Sequence, residues 1–150
     1  MRTPLHWSWL LVIVMFACSI HTQAQQNYWQ LIEEVDIAER ADEFINVSVD
    51  AAQLARLDNE MILQLLKGTS HESQGMENGS TIAIPLPNGS FENFRIVEAP
   101  ILAPSVAAEF PTHKDYRGHS VDNPGNSIRL GWTIRGFHAM ILGADYRVFI

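Results

Sequence analysis

Apolar and polar residues alternate most regularly in the last quarter of the chain. Ile128, Leu130, Trp132 and Ile134 alternate with Arg129, Gly131, Thr133 and Arg135, the period-two pattern of a half-buried strand. Gly136 predicts a turn after it, Phe137–Leu142 a mostly apolar strand, and Gly143-Ala144-Asp145 a second turn. Tyr146, Val148 and Ile150 then open a further strand. Earlier in the chain, Ile82, Ile84 and Leu86 share one face. Pro85 and Pro87 fall on the other parity and cannot donate to a ladder, which puts that strand at a sheet edge. Pro87-Asn88-Gly89-Ser90 predicts a tight reversal, because Asn-Gly tolerates positive φ. Phe91–Glu98 returns antiparallel with Phe94 and Ile96 inward.

The period changes to that of a helix before this hairpin. Leu54, Leu57, Met61 and Leu65 form a stripe that Ile62 and Leu66 widen, predicting a helix over Asp50–Lys67. Asp50 with Gln53 reads as its capping box, and Gly68 as a left-handed stop. Phe44–Val49 reads as a strand, and Asn27–Ile37 as an amphipathic lead-in with a possible short helix. His113–His119 reads as a strand centred on Tyr116, and Pro104 starts a helical turn that Pro111 ends. The fold class expected is α+β: an antiparallel sheet of about six or seven strands packed on one main amphipathic helix. The helix stripe and the two strand faces should share one core.

Residues 1–24 read differently. Arg2 precedes an apolar run from Trp7 to Ala17, and Thr22-Gln23-Ala24 closes it with small residues, the arrangement of a secretory signal cleaved between Ala24 and Gln25. The run is short for a membrane span, which takes about 20 residues. Lipid attachment at Cys18 is the weaker reading, since Met15-Phe16-Ala17 matches a lipoprotein signal poorly. The expected location is secreted or periplasmic, with no stable membrane association after cleavage. The domains expected are the signal over 1–24, an acidic segment over 25–43 and an α+β domain over 44–150. Because the chain stops inside an apolar strand, that domain is expected to be truncated or to continue beyond 150.

Charge and cysteine narrow the function classes. Lys and Arg number 10 against 17 Asp and Glu, a formal net charge of −7, which disfavours a nucleic-acid partner. A single cysteine allows neither an internal disulfide nor a multi-thiolate zinc site. His113 and His119 do not have the spacing of a helical zinc pair, and His138 sits among apolar strand residues. Ser70-His71-Glu72 is adjacent in sequence, whereas triads assemble from distant segments. Gly118-His119-Ser120-Val121-Asp122 lacks the nucleophile elbow. Glu33, Glu34, Asp36, Glu39, Asp42 and Glu43 read as a solvated acidic face. Sequons occur at Asn46, Asn78 and Asn88. No catalytic, cofactor-binding or metal residue is assigned from these patterns, and the chain is not expected to be an enzyme.

One ordered set of motifs resembles a known family. Ile82-Ala83-Ile84-Pro85-Leu86-Pro87-Asn88-Gly89 is followed by Phe94-Arg95-Ile96-Val97-Glu98-Ala99-Pro100. Phe110-Pro111, Lys114-Asp115-Tyr116-Arg117-Gly118, Ile128-Arg129-Leu130 and Gly136-Phe137-His138-Ala139 come next. The set resembles the amino-terminal, pro-region-like part of secreted bacterial zinc metallopeptidases of the reprolysin (adamalysin-like) type. The family's His-Glu-x-x-His-x-x-Gly-x-x-His zinc helix is absent, so no catalytic or zinc-binding residue carries over. The resemblance implies a non-catalytic leader or pro-domain whose partner is a metallopeptidase domain, in cis or in trans. Zinc would belong only to that domain, and no cofactor is expected here. Tyr146, Val148 and Ile150 are the candidate pairing edge. The alternative is a freestanding secreted β-rich binding or structural module.

Overall fold

The computed structural model describes residues 28–32 and 51–150. The expected signal, its Ala24–Gln25 cleavage point, Cys18, the acidic run from Glu33 and the strand expected over 44–49 lie outside the described residues. Most of what is described is antiparallel sheet. In chain order the elements are β1 (Trp29–Leu31), β2 (Ala55–Leu57), α1 (Asn59–Lys67) and β3 (Ser80–Pro85). They continue as β4 (Phe91–Glu98), α2 (Pro104–Ala107), β5 (Lys114–Ser120), β6 (Ser127–Thr133), β7 (Gly136–Leu142) and β8 (Arg147–Phe149).

β3 to β8 form one six-stranded sheet in which each strand pairs with the next in sequence, and β1 and β2 form a separate two-stranded ribbon. The connections are tight where turn chemistry allows. Gly89 takes φ +80 at the expected reversal, Leu86 and Ser90 close the hairpin, and the Asn88 side chain accepts from the Ser90 amide. Thr133 pairs with Gly136, so Ile134 and Arg135 alone make the next turn.

One face of the sheet carries Ile82, Ile84, Phe94, Ile96, Tyr116, Ile128, Leu130, Ala139, Ile141 and Val148, all buried. α1 lays Ile62 and Leu66 on this face, and the Tyr116 hydroxyl donates at 3.1 Å to the Leu66 carbonyl, which also accepts from the Thr69 amide, tying the helix end to β5. Trp29 joins the same core, its ring 5.6 Å from that of Phe137 in an edge-to-face contact.

The helix differs from its expected form. It begins at Asn59, capped by Asp58, whose carboxylate accepts from the amides of Glu60 and Met61. Asp50 is not its cap, because Ala55–Leu57 is drawn into pairing with Trp29–Leu31 and leaves the helical path. That same pairing makes the lead-in a strand at Trp29–Leu31 instead of a helix. Gly68 stays right-handed at φ −83, and its amide serves the last carbonyls of α1. The buried stripe shifts to Ile62 and Leu66, leaving Met61 exposed. Ile134, expected on the inner face of β6, is 92% exposed at the tip of its turn, since pairing ends at Thr133.

Candidate pairing edge

An open sheet has two edges, and this one treats them differently. On β3 the outward-facing main-chain groups belong to Thr81, Ala83 and Pro85, because Leu86 bonds inward to Ser90 and the direction alternates along a strand. Pro85 has no amide to leave unpaired. Ala83 is sealed by side chains: its amide donates to the Tyr28 hydroxyl at 3.1 Å, and its carbonyl accepts from Trp29 Nε1 at 2.9 Å. Burial pushes the Tyr28 phenol above its ordinary value, and its bond to the Ala83 main chain partly offsets that. β3 is thus an edge strand whose middle is closed.

β8 carries no such seal among the described residues. Gly143 donates to the Tyr146 carbonyl, Ile150 exchanges both bonds with Ala139, and Val148 lies opposite Ile141 between them. The main chains of Tyr146, Val148 and Ile150 therefore point into the sheet. The groups that face outward belong to Arg147 and Phe149. Val148 is buried on the inner face, while the Phe149 side chain is 70% exposed on the outer one. The pattern Tyr146/Val148/Ile150 gives the side-chain parity in sequence. Which parity holds the ladder depends on the side from which β7 approaches, so Arg147 and Phe149 carry no sequence signal of their own.

The turn ahead of β8 is anchored by a polar cluster. Glu92 is on the inward parity of β4 and is only 7% exposed. Its carboxylate accepts from Asn126 Nδ2 at 2.8 Å and from the Tyr146 hydroxyl at 2.8 Å, and Asn126 also donates to Tyr146 Oη at 2.7 Å. Desolvation, reinforced by the bond to Glu92 and its charge, pushes the Tyr146 phenol up to about 12. These three residues tie β4, the β5–β6 loop and the start of β8 together. Glu92 was legible as a carboxylate on the inward parity beside Phe94 and Ile96; Asn126 was not.

No family model matches the chain, and neither does any curated protein or solved structure.

Several of the remaining polar side chains among the described residues are paired locally. Ser70-His71-Glu72 splits apart: His71 Nδ1 bonds Ser73, and Glu72 pairs with Arg117 at 2.9 Å. His113 bonds the Asp115 carboxylate at 3.1 Å, whose other oxygen accepts from the Ile101 amide. His119 and His138 are exposed on the outer face. Among the described residues no three His, Cys, Asp or Glu side chains come together to hold a metal. Two open grooves lie among the described residues, one of about 550 Å³ lined by Trp29, Gln30, Leu31 and Phe91, and one of about 490 Å³ between α1 and β3.

Proposed function

We propose that this chain is the non-catalytic leader or pro-domain of a secreted zinc metallopeptidase, exported by a cleaved signal and aiding the folding, latency or export of the protease domain. The observation that carries the reading is the unequal treatment of the two sheet edges. β3 has its middle closed by Pro85 and by the side chains of Tyr28 and Trp29, while the Arg147 and Phe149 main chain of β8 faces outward. Natural sheets blunt an edge unless something pairs with it. A β-rich leader can lay such a strand against an enzyme cleft, main-chain hydrogen bonds giving the affinity. The ordered motifs from Ile82 to Ala139 supply the family, and the partner is then a metallopeptidase domain in cis or in trans.

The test is to add the purified chain to the metallopeptidase domain encoded with or beside it. Lowered peptidase activity or a raised refolding yield is the expected result. A chain that alters neither activity, refolding yield nor secretion of the peptidase overturns the reading. The second reading, a freestanding exported module, is favoured by the continuous core that the β1–β2 ribbon and α1 complete over the sheet. A zinc-helix motif encoded in frame or in the neighbouring gene decides for the first.

A further inference from the structure

Resting on the reading of β8 as a pairing edge, we infer that the segment it accepts is an extended strand of acidic and apolar character. It sets a carboxylate beside Arg147 and apolar side chains beside Phe149 and Val148. The main chain defines the position: within β8, Arg147 and Phe149 present the outward amides and carbonyls, so an incoming strand registers on those two residues. The side chains define the chemistry. On the outer face Phe149 lies opposite Met140 and Arg147 opposite Leu142, and Met140 in turn lies opposite Arg129 on β6. Phe149 and Leu142 are both exposed, so the outer face offers an apolar strip with the Arg147 guanidinium at the edge and that of Arg129 two strands further in.

Those guanidinium groups differ from their neighbour. Arg117 stands directly across from Arg129, a like-charge pairing that costs stability, but it is held by Glu72. Among the described residues no carboxylate pairs with Arg129 or Arg147. On the inner face the residue between the two registering positions comes to rest beside Val148, at the rim of the core, where a charged side chain would be desolvated without a partner. A basic strand would meet Arg147; a wholly polar one would leave Phe149 uncovered. A second copy pairing through β8 about Val148 would set Arg147 against Phe149 and supply no carboxylate.

The experiment titrates the full chain with three blocked heptapeptides and follows its backbone amide resonances. The first is built of Val and Thr with one central Glu, the second has Lys in place of that Glu, and the third is the Glu peptide N-methylated at alternate amides. The expected shifts centre on Leu142 and Arg147–Ile150. The Glu peptide should bind about fivefold more tightly than the Lys peptide at low salt, the gap narrowing as salt is added. N-methylation on the pairing face should abolish binding, and Arg147→Glu, an exposed substitution, should reverse the preference. Equal affinity for the Glu and Lys peptides with shifts at β8 overturns this inference and leaves the pairing edge standing. Absence of shifts at β8 with every peptide, or self-association of the chain through β8 that excludes them, overturns both.

Discussion

Among the described residues Glu92 is held by two neutral donors, Asn126 and Tyr146, so each has a measurable weight. Tyr146→Phe removes one bond to a nearly buried carboxylate and is expected to lower the unfolding free energy by about 1–2 kcal/mol, read as a shifted urea midpoint with unchanged slope. The same phenol predicts a pH dependence. Tyr146 is pushed up to about 12, and so is Tyr116, by burial first and then by the charges of Glu98 and Asp115. The fold therefore keeps protons that the unfolded chain releases near pH 10. That stabilisation is whole below pH 10 and is lost as pH rises through about 12. Urea midpoints should hold steady up to pH 10 and decline above it, less steeply in Tyr146→Phe; an identical decline in that variant would remove the cluster as a cause. At this scale the sequence is legible where a residue's own backbone preference decides. Asn88-Gly89 turns where expected because nothing else satisfies positive φ so cheaply. Asp50 reads as the cap in sequence, and the pairing of Ala55–Leu57 with the distant segment around Trp29 moves the helix start to Asn59 behind Asp58.

Within an element, position along the strand outweighs hydrophobicity. Ile134 continues the alternation of Ile128, Leu130 and Trp132, yet the ladder ends one residue earlier and leaves its side chain in solvent. Ile134→Asp is expected to change stability by less than about 0.5 kcal/mol. Leu130→Ala, at a buried position on the same parity, should cost about 2–5 kcal/mol in the same assay. Comparable losses from the two would contradict this placement of the turn. For α1, Asp58→Ala should cost about 1 kcal/mol, because two first-turn amides lose their acceptor. Strand periodicity thus locates β3, β4 and β6 well, since each repeats buried large apolar residues on one parity: Ile82 and Ile84, Phe94 and Ile96, Ile128 and Leu130. The helix is harder to place from Leu54 to Met61, where strand residues, cap and first turn carry the same apolar spacing and long-range pairing divides them. β5 has a constraint that alternation does not reveal. Gly118 lies against the Arg95 carbonyl, where a Cβ would collide, so the sheet's close approach there needs a residue without a side chain.

The whole molecule depends on a short, distant ribbon to finish it. Trp29 packs on Phe137 of β7 while its ring nitrogen bonds Ala83 of β3, so one side chain links one edge strand to the strand next to the other edge. Trp29→Ala should cost about 3–5 kcal/mol and also strip the Ala83 carbonyl of its donor. It should therefore raise light scattering on mild heating more than a core substitution of equal cost, such as Leu130→Ala; matched scattering would mean that the ring only fills space. No single-strand pattern announces this role, because Tyr28 and Trp29 read locally as an amphipathic lead-in, and their partners are found only when the sheet curls.

The neighbour-to-neighbour order of β3 to β8 has a consequence for how the molecule is born. A chain threaded front first, through a ribosomal tunnel or a translocation pore, delivers each strand directly after the mate it needs. Zippering can then keep pace with emergence, and none of these six strands waits unmatched for a remote counterpart. Among these six strands only the newest arrival is raw at any moment, and Arg147–Phe149 is the sixth to join.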